Sequence, residues 1–330
     1  MTLDAARTVP CDNASLTAHS EVRRLVRAIV RRIDGSLFGG RLSRIRRSYQ
    51  NRQSQIDIGR LLSSADARIR LIGEALDDAV NGAFTPEELK ILGAIEDRRA
   101  FLRHCEEPID VIDYGAGSPT SKRTLGEMER GVRRATSVAK ISDSSKPPSW
   151  ARLLYKLVRK LQPASAVELG SCVGISAAYQ AAALELNGRG SLKTLEGSPE
   201  VARIATETLA GLGLSRANVV VGPFHLTLNQ VLKTSRPIDY FFNDGHHDRD
   251  AVLSYFKQAA PYLSEGALVI FDDIDWSDGM KNAWTSIVND PTVRVSVDLG
   301  TMGLVIFGRD ASTKQSFDVR GSIDLPDRRE

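Results

Sequence analysis

Cysteine is scarce in this chain: three in 330 residues, Cys11, Cys105 and Cys172. They are odd in number and include no CxxC pair. That excludes a disulfide framework and a cysteine-built zinc site, and it fits a reducing, cytoplasmic setting. Long apolar runs are also missing. No stretch approaches 18 apolar residues, which excludes a membrane-spanning helix. No charged n-region, apolar h-region and small-residue cleavage pattern points to secretion. Net charge is nearly absent, at +3 from 44 Lys plus Arg against 41 Asp plus Glu. What is present is a globular composition, 42% hydrophobic and 26% charged, able to bury a sizeable core. The length suits one large core with attachments.

The small net charge averages two unlike regions. Residues 21–70 hold 13 Arg against Glu21, Asp34, Asp57 and Asp66, a local +9. Residues 244–278 hold eight acids against Arg249 and Lys257, a local −6. In the basic region Val22, Leu25, Val26, Ile29, Val30 and Ile33 recur at i, i+3, i+4 and i+7, the apolar stripe of one helix. Arg23, Arg24, Arg27, Arg31 and Arg32 take its other faces, and DGSLFGG (34–40) ends it. The plain expectation is a helix docked on its own globular domain with Arg in water. A peripheral anionic membrane surface is the next candidate partner. Nucleic acid is the weakest, because no aromatic residue interleaves with these Arg residues to stack bases.

Further along, Thr85-Pro86-Glu87-Glu88 is a helix start: Thr85 caps, Pro86 suits the first turn and Glu88 completes a capping box. That helix is expected to run to about Leu102. ISDSSKPPSW (141–150) reads as a linker. Beyond Trp150 seven buried strands are expected, AVELG (166–170), LKTLEG (192–197), NVVVG (218–222), IDYFFND (238–244), ALVIFDD (267–273), VRVSVDL (293–299) and MGLVIFG (302–308). Helical stretches separate the first six, which predicts a doubly wound, Rossmann-like α/β fold with a parallel sheet. Only Gly300-Thr301 separates the last two, which predicts a terminal antiparallel hairpin. The expected domains are a basic, helical N-terminal region over 1–95, a lead-in segment and linker over 96–150, the α/β domain over 151–310, and a flexible tail over 311–330.

Two glycine loops compete for a ligand. VIDYGAGS (111–118) has an acid and GxG, and AVELGSCVGIS (166–176) has Glu168 and then Gly170 and Gly174. A nucleoside-binding first strand needs a second strand that ends in an acid some 20–30 residues on, placed to take ribose hydroxyls. Nothing strand-like follows Gly117. LKTLEG follows Gly170 and places Glu196 26 residues later. The first loop is therefore expected to be a turn before the core. The spacing of Gly170 and Gly174, with Ser171 between, departs from the GxGxxG of a pyrophosphate loop. That disfavours an NAD(P)-linked oxidoreductase without removing it as a rival.

ELGSCVGIS, TLEGSPE (194–200), DYFFNDGHH (239–247), FDDIDWSDGMKNAW (271–284) and DLGTMGLVIFG (298–308) resemble, in order, the O-methyltransferase-like branch of class I S-adenosylmethionine (SAM)-dependent methyltransferases. The resemblance covers about 107–308. It implies SAM as cofactor, with Gly170, Ser171, Gly174 and Ser176 lining the methionyl part. Glu196 would bind the ribose diol with Ser198 behind it, and Gly222 and Phe224 would lie near adenine. Glu168 is placed to order the loop or to meet the cationic end of the ligand. The implied reaction is O-methylation of a small-molecule or glycan-like acceptor. A non-catalytic SAM-binding protein is the other rival.

Strands four and five end in Asp244 and in Asp272 and Asp273. Such a cluster of like charges asks for a cation, and an oxygen-rich site suits Mg²⁺ or another divalent ion. Catechol-type relatives use a similar set to lower the pKa of the acceptor hydroxyl, but Asp273 stands where they have Asn. The metal-free alternative makes His247 a general base oriented by Asp244. Trp276, Met280 and Trp284 form a stripe at i, i+4 and i+8, expected to be core or an apolar lid over the acceptor. Flotation of the full chain with anionic liposomes tests the arm: membrane binding through it must weaken steeply with salt, and salt-insensitive or absent binding rejects it.

Overall fold

Near-continuous apolar runs become strands when both faces of a sheet are covered, and this chain follows that rule. The computed structural model describes residues 54–118, 121–309 and 313–320. The Arg-rich helix expected over 21–33 and its breaker lie outside these residues. The elements that lead to the site are α1 (Ala67–Asn81), α2 (Pro86–Arg103), β1 (Pro108–Asp113), β2 (Val132–Ser137), α3 (Val138–Ser142) and α4 (Pro148–Leu161). Then come β3 (Ser165–Leu169), α5 (Ile175–Asn187), β4 (Ser191–Glu196), α6 (Pro199–Gly211), β5 (Ala217–Val221) and α7 (Phe224–Ser235). The rest is β6 (Ile238–Asn243), α8 (Arg249–Ala259), β7 (Leu263–Phe271), α9 (Asp278–Asn289), β8 (Val293–Asp298), β9 (Gly303–Phe307) and β10 (Gln315–Asp318).

The main sheet runs β10-β8-β9-β7-β6-β3-β4-β5. All seven expected strands are present. β3 to β7 pair in parallel, and β9 runs antiparallel to both β7 and β8, closing the expected hairpin. Side chains alternate between two cores, as the period of a strand requires. Tyr240 and Phe242 join the core under α4 and α5, while Phe241 joins the core under α7, α8 and α9.

Three expectations change. The segment read as a tail from 311 supplies an eighth strand, β10, parallel to β8. It is held by Phe317 and Val319, both buried, which the polar texture around them obscured. The boundaries drawn at 95 and 150 fall inside one compact unit, 51–330. Ile69, Ile72 and Leu76 of α1 share a core with Leu153, Leu154 and Leu157 of α4, so these helices are a layer of the domain. The lead-in Gly loop is a wall: β1 pairs with β2 in a separate antiparallel ribbon beside the sheet.

The capping box at α2 is built as expected, with Glu88 N donating to Thr85 Oγ1 at 3.2 Å and Thr85 N donating to Glu88 Oε2 at 3.0 Å. The same carboxylate is buried against Lys156 at 2.9 Å and Arg159 at 3.1 Å. Burial opposes its charge, but these cations and the Thr85 N–H outweigh it and hold the carboxyl at about 2. Because the folded pKa is depressed, the contribution is intact above the ordinary carboxylate range and is lost as pH falls towards 2. Glu88→Ala removes the nearest carboxylate of the buried Lys156 ammonium, leaving it the Ala83 carbonyl and Asp78 at 4.0 Å, and should cost about 3 kcal/mol in urea unfolding near neutral pH, with the deficit shrinking in acid.

Candidate active site

The carboxyl edge of β3, β4, β6 and β7 is where a doubly wound sheet leaves a crevice. After β3 the backbone turns at Gly170, whose φ of +96° suits glycine. A side chain there would place its Cβ 2.6 Å from the Asp244 carbonyl oxygen. Gly174 caps α5 at φ +87°, where a Cβ would sit 2.9 Å from Ala205 Cα, so its role is close packing of α5 on α6. Beneath the turn Glu168 is fully buried. It accepts from Gln180 Nε2 at 2.7 Å and from Thr194 Oγ1 at 2.6 Å, and Ser171 Oγ bonds Thr194 Oγ1 at 2.5 Å. Ser176 also donates to Glu168, and burial pushes that carboxyl up. Glu168, Ser171, Gly174 and Ser176 therefore found the loop from below and line no part of the crevice; of its two expected roles, Glu168 takes the ordering one.

Glu196, at the end of β4, faces the crevice. Its two oxygens accept from Cys172 N and Ser198 N, each at 3.0 Å. Burial pushes this carboxyl up to about 7 against those N–H donors. Ser198 Oγ accepts from Ile112 N at 3.2 Å, tying β1 to the wall. Gly222 N donates to Glu196 O at 2.9 Å, and Pro223 and Phe224 beyond it reach the crevice.

Two cavities open along this edge. The first, about 300 Å³, is walled by Gly170, Cys172, Glu196, Phe224 and, from the lead-in loop, Asp113 and Tyr114. The second, about 380 Å³, is walled by Ser145, Lys146, Trp150, Asp272, Trp276 and Thr301. Asp244, His247 and Ser144 line both. The partition is strongly polar. His247 Nε2 lies 3.6 Å from Asp244 Oδ1, and Nδ1 lies 3.1 Å from Asp273 Oδ2. Trp276 meets the imidazole edge-on at 5.5 Å between ring centroids. Burial disfavours the imidazolium, but the neighbouring Asp244 and Asp273 carboxylates outweigh it and raise the pKa above the usual histidine value. Asp244 is pushed up to about 7 by burial and by Asp272, with Lys146 opposing.

Two of the three expected carboxylates, Asp244 and Asp272, converge. Asp244, Asp272 and His247 bring ligand atoms within 4.8 Å of one another, whereas Asp273 turns to His247. Between Asp244 and Asp272, however, stands the ammonium of Lys146, hydrogen-bonded to Asp272 and 3.2 Å from Asp244 Oδ2. It comes from the stretch read as a linker. That stretch is α3 and a tight turn, anchored where Arg99 Nη1 of α2 donates to Lys146 O at 2.7 Å. Lys146 carried no signal in the sequence beyond the acid excess that asks for a cation.

Other details of the edge fit a working site. Cys172, His246 and Asp273 adopt φ of +48°, +43° and +51°, a strained conformation for non-glycine residues that gathers at functional sites. His246 bonds Tyr255 Oη and packs on Phe224, with burial lowering its pKa. Of the expected apolar stripe, Met280 is core and Trp284 packs on Gly303, while Trp276 precedes α9 and walls the second cavity.

Residues 167–274, which span the glycine turn, Glu196, Asp244 and Asp272, match the methyltransferase domain family model. A curated relative of this chain is the catechol O-methyltransferase of Niastella koreensis, 30% identical over 129 residues, 38% of this chain and 57% of that protein. The chain thus spans a little over half the length of that relative. Among solved structures, an O-methyltransferase from Bacillus cereus in complex with SAH is 21% identical over 51% of this chain and 85% of its own, TM-score 0.44. An SAH-bound methyltransferase from Podospora anserina is 17% identical over 51% of this chain and 82% of its own, TM-score 0.45. Gly170→Ala should destabilise the fold by on the order of 1–2 kcal/mol, because it needs φ > 0 and pushes the Asp244 carbonyl. Thermal unfolding reads the loss, and an unshifted midpoint would contradict the crowding.

Proposed function

We propose that this chain transfers a methyl group from SAM to an oxygen of a small-molecule acceptor. The observation that carries the reading is the shared partition: two adjoining cavities meet at Asp244 and His247. One has the strand-end carboxylate suited to a ribose, Glu196, and the other is lined by carboxylates, Lys146 and two indoles. The methyltransferase family match and the catechol O-methyltransferase relative support it.

In this reading SAM occupies the first cavity, with the ribose hydroxyls donating to Glu196 and the sulfonium facing the partition. An acceptor hydroxyl in the second cavity attacks the methyl carbon in line. The O–C bond forms, the C–S bond breaks, sulfur keeps the electron pair, and the hydroxyl proton passes to His247. Asp244 and Asp273, on either side of the ring, hold it in place and favour its protonated product. Trp150 and Trp276 beside acidic groups suit a polyhydroxylated, glycan-like acceptor, whose C–H faces stack on indole while its hydroxyls donate to carboxylate. No described helix is long and apolar enough to cross a membrane. The Arg-rich arm keeps its candidate role at an anionic surface.

Calorimetry with SAM, S-adenosylhomocysteine and NAD tests the reading. SAM and its product should bind, and Glu196→Ala should weaken them about tenfold to a hundredfold, the worth of one or two charged hydrogen bonds. Binding of NAD alone would overturn it. A base must be neutral to act, and His247 titrates above its ordinary value, so kcat/KM should rise with pH through a limb above about 6.5. His247→Gln should flatten that limb and lower kcat by roughly 10²–10⁴.

A further inference from the structure

We propose that Lys146 is the built-in cation of the acceptor cavity, standing where a divalent ion would have to sit and binding the acceptor oxygen itself. The inference rests on the methyl-transfer reading for the identity of that oxygen, but not for the cation.

The acidic pair alone would invite a metal. Asp244 and Asp272 have side chains only 15% and 5% exposed, and they present oxygens close enough for one ion. Buried carboxylates so close together need positive charge between them. Lys146 supplies it: its side chain is 10% exposed, its Nζ bonds Asp272, and Asp244 lies 3.2 Å away. Both carboxylates hold the ammonium charged, against burial. An ion at the 2.0–2.1 Å spacing that Mg²⁺ demands needs the same oxygens. It would meet the ammonium at contact distance, with the repulsion of two cations in a poorly screened site. The residues present do not fit a divalent ion while Lys146 is in place.

The lysine is held there by the fold. Its carbonyl is gripped by Arg99 of α2, which Glu96 pairs at 2.9 Å and Tyr179 of α5 braces through that same Glu96 at 2.6 Å. Pro147 and Pro148 follow directly, fixing the exit of the chain into α4. An ammonium has three N–H donors. Two face Asp244 and Asp272, and among the described residues no further acceptor takes the third. The group lines the second cavity beside Ser145, whose buried Oγ has no partner among the described residues. An acceptor hydroxyl seated there meets a donor on Lys146 and the imidazole of His247. The ammonium favours the developing oxyanion, the proton moves to His247, and the oxygen lone pair forms the bond to the methyl carbon as the C–S bond breaks.

Manganese binding to the whole protein, read by electron paramagnetic resonance, tests this without an acceptor. The wild type should bind no stoichiometric Mn²⁺. Lys146→Ala should empty the position between the carboxylates and gain one Mn²⁺ site, which Lys146→Ala/Asp272→Asn loses again. SAM affinity in Lys146→Ala should stay within about twofold, since that ligand lies in the other cavity. One Mn²⁺ on the wild type that Asp272→Asn abolishes would overturn the proposal, and so would a Lys146→Ala protein that folds, by circular dichroism, and gains no Mn²⁺ site. If Lys146→Ala does not fold, the wild-type titration still decides. Failure of SAM to bind the wild type would sink the methyl-transfer reading instead, and leaves the manganese result to judge the cation.

Discussion

Everything at the carboxyl edge of this sheet follows from one constraint, the burial of several carboxylates in one place. Asp244, Asp272 and Asp273 leave parallel neighbouring strands, β6 and β7, and cannot avoid one another. Uncompensated, each would cost several kcal/mol. The chain answers with a lysine from outside the sheet and a histidine from the loop after β6. Around that compensated cluster the two cavities take their shapes. Its position explains why helices ahead of the α/β core belong to the site: Arg99 of α2 holds the carbonyl of Lys146, and α4 starts two residues beyond it.

A second, quieter acid organises the first cavity. Glu168 lies beneath the glycine turn and binds Gln180 and Thr194, so that the turn has a rigid floor. Glu196 faces the first cavity, its carboxylate held in orientation by the backbone N–H groups of Cys172 and Ser198. Two glutamates near the ends of adjacent strands thus do different work, one as foundation and one as cavity wall. Glu168 pairs with Thr194 and Glu196 lies two residues beyond it on the same face of the sheet, so the split follows from what covers each side chain.

Seven of the eight strands of the main sheet, their order along the chain and the hairpin were legible in the sequence because buried parallel strands leave unbroken apolar runs punctuated by Gly and Asp. Glu196, Gly170, Phe224 and Asp244 were legible because a strand-end position puts a residue in the crevice whatever its identity. Ser171 and Ser176 were expected in the crevice but lie buried beneath it, since loop spacing does not say which side of a turn a hydroxyl takes. Lys146 was invisible: a lone lysine in a Ser- and Pro-rich stretch has no period, and its partners lie 98 and 126 residues away. β10 was hidden for a related reason, its two buried residues being too few to show alternation. The wall formed by Asp113 and Tyr114 was visible as an acid before GxG, but nothing local showed that β1 would pair with β2 beside the crevice.

On the proposed reading, Asp244 and His247 divide a methyl-donor cavity from an acceptor cavity. A crystal structure with S-adenosylhomocysteine bound measures this most directly. The account predicts the ribose on Glu196, the adenine towards Phe224, and the sulfur facing the Asp244–His247 partition with the Lys146 cavity open beyond it. A ligand seated among Lys146, Asp272 and Trp276, or one whose sulfur faces away from the partition, would contradict it.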